Sequence, residues 1–142
     1  MPNNQFKKGE LYSFITGKAS TAIARRLQKK FNTAGLSITI EQWSVLYHLW
    51  KQEGISQQEL CNATFRDKPS ITRLVDNLEK RGLVRRTRRE DDRRVIDVSL
   101  TPDGRALIEQ LFPAHARRIA ALLGALSPAD QRRLGELCKT LG

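Results

Sequence analysis

The sequence predicts a mainly α-helical fold that carries one β-hairpin. Three observations predict it. Apolar residues recur at helical spacing through most of the chain, Ser/Thr caps and prolines mark where those segments begin, and a single pair of short runs flanks a charged turn at residues 89–93.

Residues 8–33 form the first predicted helix. Leu11, Phe14, Ile15, Ala22, Ile23, Leu27 and Phe31 fall on one stripe, Lys18, Arg25, Arg26, Lys29 and Lys30 occupy the other faces, and Gly35 is the stop. Thr39-Ile40-Glu41-Gln42 fits a capping box, opening a helix to about Trp50 with Trp43, Leu46, Tyr47 and Trp50 on one face. Gly54 and Ile55 break it. Ser56-Gln57-Gln58-Glu59 is a second capping box, for a short helix through Ala63. Thr64-Phe65-Arg66-Asp67 then turns into a helix from Pro69 to Arg81, with proline in the first turn and Gly82 at the end.

The hairpin follows. Its strands are Leu83–Arg88 and Arg94–Leu100; in the second, Ile96, Val98 and Leu100 alternate with Asp97 and Ser99. Thr101-Pro102 caps a helix to about Ala125, with a bend expected at Pro113, which has no N–H to donate. Ser127-Pro128-Ala129-Asp130 caps a last helix, with Leu134, Leu137, Cys138 and Leu141 at i, i+3, i+4 and i+7. The middle elements have the order of a winged helix-turn-helix with a two-stranded β-wing. The expected fold is therefore a single domain over 1–142, with a DNA-binding lobe at 39–100 and helical segments at 8–35 and 102–142.

Composition narrows the function. The chain has 142 residues, 39% of them hydrophobic, and no apolar run long enough to span a bilayer. The first residues lack the apolar stretch and cleavage site of a secretory leader, so the expected location is the cytoplasm, with no membrane partner. Cys61 and Cys138 stand in no metal-ligand spacing and are expected in the core. His48 and His115 are the only histidines, and no carboxylate pair, Gly-rich phosphate loop or Cys/His cluster appears. An enzyme is not expected, nor a cofactor. Asn62-Ala63-Thr64 matches a glycosylation sequon, which means nothing without secretion.

Net charge is +10, which suggests a polyanionic partner. Residues 66–94 hold eleven basic and six acidic residues, an excess of five and half the chain's total. Such concentration suits phosphate contact, because neutralising phosphates releases condensed counterions. In the helix at 69–81, Ile71, Leu74, Val75 and Leu78 form the inner stripe, while Ser70, Thr72, Arg73, Asn77 and Lys80 point outward. Short hydroxyls permit close approach to a groove floor. Arg73 has the fork for guanine O6 and N7, and Asn77 the amide for adenine. On the hairpin, Arg88, Arg93 and Arg94 are candidate DNA contacts, Arg93 and Arg94 suited to a narrow minor groove. Asp92 is close enough to orient one of these guanidiniums.

These residues resemble the MarR family of transcriptional regulators. The stretches that carry the resemblance are Thr39-Ile40-Glu41-Gln42-Trp43-Ser44-Val45-Leu46, Gly54-Ile55-Ser56-Gln57-Gln58-Glu59-Leu60, the run Ser70 to Val84, Asp92-Arg93-Arg94, and Val98-Ser99-Leu100-Thr101-Pro102-Asp103-Gly104. They span residues 39–104 in order; the outer helices match only in length and position. The resemblance implies a homodimer with interlocked terminal helices and two winged lobes. It implies a pseudopalindromic operator of double-stranded DNA, with the helix at 69–81 in the major groove. Arg94 would end the family's Asp-x-Arg wing motif and enter the minor groove, positioned by Asp92. Two-fold symmetry then spaces half-sites roughly 34–36 Å apart. A repressor released by a small phenolic or anionic effector is the implied function. Peroxide sensing through a cysteine in the first helix is not expected, since that helix has none. A non-specific architectural or RNA-binding protein is the competing reading. Arg117-Arg118 and Arg132-Arg133 are solvated faces or anion-attracting clusters.

Overall fold

The computed structural model describes residues 16–64 and 66–141. Among these the elements run α1 (Lys18–Thr33), α2 (Ile40–Lys51), β1 (Ile55–Ser56), α3 (Gln57–Thr64), α4 (Lys68–Lys80), β2 (Val84–Arg88), β3 (Ile96–Leu100), α5 (Pro102–Leu123) and α6 (Pro128–Leu141). The chain divides into two compact units, the first ending at Ile108 and the second beginning at Glu109.

Local chemistry sets the boundaries in the first unit. Helix α1 starts later than its apolar stripe suggests. Gly17 adopts φ 77, a left-handed conformation incompatible with a continuing helix, and its carbonyl accepts from the Ser20 hydroxyl at 2.9 Å. Residues 8–15 of the expected helix lie outside the described residues. At its other end, the Gly35 N–H donates to the Asn32 carbonyl and the Leu36 N–H to that of Phe31, a Schellman closure built on Gly35 at φ 74. Leu27 and Phe31 are buried, whereas Ile23 of the same stripe is 51% exposed.

The expected capping boxes are present. Thr39 Oγ1 accepts from the Gln42 N–H at 3.0 Å while Gln42 Oε1 accepts from the Thr39 N–H at 3.1 Å. Ser56 Oγ accepts from the Glu59 N–H at 3.0 Å, and the Ser56 N–H donates to Glu59 Oε2 at 3.2 Å. Each satisfies first-turn groups that a helix leaves unpaired. Gln28 fastens α1 to α2: its Oε1 accepts from the Ile40 N–H at 3.0 Å. Trp43, Val45, Leu46 and Leu49 of α2 are buried; Tyr47 and Trp50, expected on one face with Trp43 and Leu46, are half-buried.

Ile55 and Ser56 do more than interrupt a helix. They form β1, whose Ile55 pairs with Val98 and Ser56 with Asp97, making a three-stranded antiparallel sheet in the order β1-β3-β2. The wing's own pairing matches Val84 with Leu100, Arg86 with Val98 and Arg88 with Ile96. Leu46, Leu49, Leu60, Ile71, Val75, Leu78 and Val98 are fully buried beneath it. At the start of α5, Thr101 Oγ1 donates to the Gly82 carbonyl at 2.6 Å and accepts from the Gly104 N–H at 3.1 Å. Gly104 itself is pressed against the Leu83 backbone, leaving no room for a Cβ.

In the second unit, α5 continues as one helix through Pro113. Ser127 Oγ caps α6 by accepting from the Asp130 N–H at 3.1 Å, and Gln131 Nε2 donates to the carbonyls of Leu123 and Leu126. His115 is buried. Burial, followed by the Arg118 charge, pushes its pKa down from 6.5 to about 4. The stripe Leu134, Leu137 and Leu141 is exposed, Leu141 by 74%. Cys138 shares that open face, which corrects its expected core position: α6 buries no residue in this chain. Cys61 is buried, as expected.

Candidate nucleic-acid interface

Helix α4 has three faces. It begins at Asp67, whose Oδ1 accepts from the Ser70 N–H at 2.8 Å; that backbone bond and the Ser70 hydroxyl hold the Asp67 carboxyl below the usual carboxylate range. It ends at Gly82, φ 72, where the Leu83 N–H reaches back to the Leu78 carbonyl. Ile71, Val75 and Leu78 are buried and Leu74 is half-buried. Arg73, Asn77 and Lys80, at i, i+4 and i+7, are exposed, with Ser70 half-buried one turn before them.

The remaining face carries Thr72, Asp76 and Glu79, and it is occupied. Thr72 Oγ1 accepts from Gln57 Nε2 at 3.0 Å, so this hydroxyl is turned toward α3. Arg86 of β2 then spans the same stripe. Its Nη1 lies 2.5 Å from Asp76 Oδ1 and 3.3 Å from Glu79 Oε1, Nη2 donates to the Thr72 carbonyl at 3.2 Å, and Nε donates to Gln57 Oε1 at 3.3 Å. Arg81 works similarly at the helix end, donating to the Ser37 carbonyl at 2.9 Å.

The wing separates its cations in the same way. Arg89 forms a two-pronged pair with Asp97, at 3.1 and 2.6 Å, which raises the arginine and lowers the carboxyl. Arg88 Nη1 donates to the Arg93 carbonyl at 2.8 Å across the hairpin tip. Asp92 receives the Arg94 N–H and Nε at 3.1 Å on one oxygen and Nη2 at 3.3 Å on the other. These bonds hold Asp92 below the usual carboxylate range. Arg94 nonetheless remains 91% exposed, so its guanidinium is oriented without being covered.

Counting charges in residues 66–94 therefore overstates what faces solvent unpaired. Arg86 and Arg89 belong to internal ion pairs. The signal that separates Arg86 was strand alternation: it shares the face of Val84, which is buried, while Arg85 points to the other side and is exposed. Among the described residues, no group of His, Cys, Asp and Glu could hold a metal ion, and no helix is long and apolar enough to cross a membrane.

A capped helix presenting one polar, cationic stripe, beside a hairpin whose tip offers an oriented arginine, defines the winged helix-turn-helix class. The MarR family model matches residues 38–96. The transcriptional repressor YetL of Bacillus subtilis is 31% identical over 114 residues, covering 76% of this chain and 68% of YetL. The chain belongs to the MarR family. Among solved structures, the S. aureus MepR–DNA complex is similar with a TM-score of 0.78 and 26% identity, over 92% of this chain and 95% of that one. Bordetella bronchiseptica BpsR, whose DNA binding is regulated by 6-hydroxynicotinic acid, is similar with a TM-score of 0.79 and 28% identity, over 91% of each chain.

Proposed function

We propose that this protein is a repressor that binds a pseudopalindromic DNA operator as a homodimer and is released by a small anionic or phenolic ligand. The observation that carries the reading is the division of α4. One polar stripe is consumed by Arg86 and Gln57, while Ser70, Arg73, Asn77 and Lys80 remain available along the other. In the proposed complex that second stripe enters the major groove, with Arg73 and Asn77 reading base edges. Thr72 contributes through the position of α4, its hydroxyl being engaged by Gln57. Arg93 and Arg94 meet the minor groove, with Arg94 steered by Asp92 and the tip braced by Arg88.

Support for the dimer comes from apolar stripes that one chain leaves open: Leu134, Leu137 and Leu141 on α6 and Ile23 on α1. Support for the effector comes from the similarity to BpsR, a regulator that answers to 6-hydroxynicotinic acid.

Selection of duplexes from a random pool, followed by footprinting, tests the proposal. The expected result is one discrete site with two-fold sequence symmetry, protected by a species that sediments as a dimer. Uniform protection of any duplex would instead identify an architectural protein, and a monomeric complex on a single half-site would remove the dimer.

A further inference from the structure

Hydrogen bonds have a direction, and the junction of α3, α4 and β2 fixes the direction of each bond in it. A guanidinium offers donors and no acceptor. Arg86 turns Nη1 to Asp76 and Glu79 and Nη2 to the Thr72 carbonyl, which holds its Nε toward Gln57. Gln57 answers with its amide oxygen, Oε1, at 3.3 Å. The amide nitrogen is thereby turned to Thr72, whose Oγ1 accepts from Nε2 at 3.0 Å. The reverse amide would press N–H against N–H.

A hydroxyl that accepts one bond still has its hydrogen to give. Threonines within helices can spend it on the carbonyl one turn back. In this chain Thr33 gives to Lys29 at 2.9 Å, Thr64 to Leu60 at 2.7 Å and Thr140 to Glu136 at 3.1 Å. Thr72 makes no such bond among the described residues. It is half-buried, one turn after the start of α4, and adjoins the exposed Arg73. Residues near that end are the ones a recognition helix brings to base edges.

We infer that Gln57 is a positioning residue for base recognition: it holds the Thr72 hydroxyl as a donor, so that Thr72 selects a base edge that accepts. The inference rests on the DNA-binding reading above and gives Thr72 a contact besides its place in α4. In the major groove guanine presents N7 and O6, and thymine O4, all acceptors. Cytosine presents only its N4 amino group, and adenine an amino group beside N7. One position per half-site should therefore prefer guanine or thymine and reject cytosine, by about three- to tenfold for one neutral hydrogen bond.

The test repeats duplex selection with the full-length wild type and its variants. Affinity is then measured for duplexes carrying each of the four bases at every selected position. In Gln57→Glu the carboxylate only accepts. It keeps Arg86 and takes the Thr72 hydrogen, which leaves lone pairs outward, so preference at that one position should move to adenine or cytosine. The added charge lowers affinity for every duplex alike and does not choose bases. Gln57→Met, which lets the hydroxyl turn either way, should level the four bases without any added charge. Thr72→Val should level them too, and Thr72→Ser, which keeps the hydroxyl, should keep the wild-type order. An identical base order in the wild type and both Gln57 variants overturns the inference while leaving the regulator reading intact. So does an equal loss on all four bases in Thr72→Val, which would give the hydrogen to a phosphate. A wild type that enriches no site overturns both.

Discussion

Arg86 on β2 reaches across to Asp76 on α4, with 2.5 Å between Nη1 and Oδ1. The same guanidinium touches Glu79, the Thr72 carbonyl and Gln57, so strand β2 and helices α3 and α4 share one polar junction. Arg86→Ala should lower unfolding free energy by about 1–2 kcal/mol, a value kept modest because both carboxylates are roughly half exposed and screened. Arg86→Lys should recover only part of it, since an ammonium cannot fork between partners. Urea denaturation of the two variants checks the order. Equal stability of Arg86→Ala and wild type would show that the junction is energetically neutral.

Arg94→Ala should leave the fold intact and weaken the selected duplex. Loss of one charged hydrogen bond is worth about 1.5–3 kcal/mol, roughly ten- to a hundredfold in affinity. Asp92→Ala should have a smaller effect, because the guanidinium stays while its steering goes. Titration of fluorescent duplex measures both, and unchanged affinity in Arg94→Ala would remove the wing from the interface.

Arg73→Ala separates reading from gripping. If Arg73 pairs with a guanine, the selected duplex should lose about 1–3 kcal/mol more than a scrambled one. Equal losses on the two duplexes would reassign Arg73 to a phosphate.

Gly104→Ala should be strongly destabilising even though the substitution is small. The added methyl would collide with the Leu83 carbonyl, and a backbone atom cannot swing aside as a side chain can. A loss of about 2–3 kcal/mol is expected, seen as a lower melting temperature. Gly135→Ala is the control: nothing lies near its added methyl, and the melting temperature should hold or rise.

Acid should weaken the fold through His115 as pH falls below the ordinary histidine value. Folded His115 stays neutral down to about pH 4, whereas its unperturbed pKa is 6.5. Between those values the unfolded chain binds the extra proton. The contribution to stability is therefore full above pH 6.5 and is lost as pH falls toward 4. His115→Gln should flatten that slope in denaturation midpoints measured at pH 7 and pH 5. Parallel slopes in wild type and variant would assign the pH dependence to other groups.

What the sequence shows plainly is whatever a few neighbouring residues decide. Both capping boxes, the Gly35 and Gly82 stops and the pairing of β2 with β3 depend on contacts within about one turn or one hairpin, and the structure contains all of them, although in β3 only Val98 is buried. Strand β1 is different: two residues cannot display an alternation, and Ile55 becomes a strand only because Val98 lies beside it. Gly17 is also ambiguous, since a glycine can sit inside a helix or end one. The same limit applies at the site. Arg86 and Arg93 look alike in a charge count, and only packing places Asp76 opposite the first. The leucines of α6 show helical spacing in the sequence, yet spacing does not say whether the chain itself covers them.

The Asp92–Arg94 contact closes between residues only two apart. An unrestrained arginine would surrender rotamer freedom on docking, a loss of about 0.5–1.5 kcal/mol per immobilised side chain. Here the bonds to Asp92 supply part of that ordering as the hairpin forms, so in the proposed complex the tip would meet its target already aimed. Such a tip favours slow dissociation over fast capture, because its advantage lies in what need not be reorganised once contact is made.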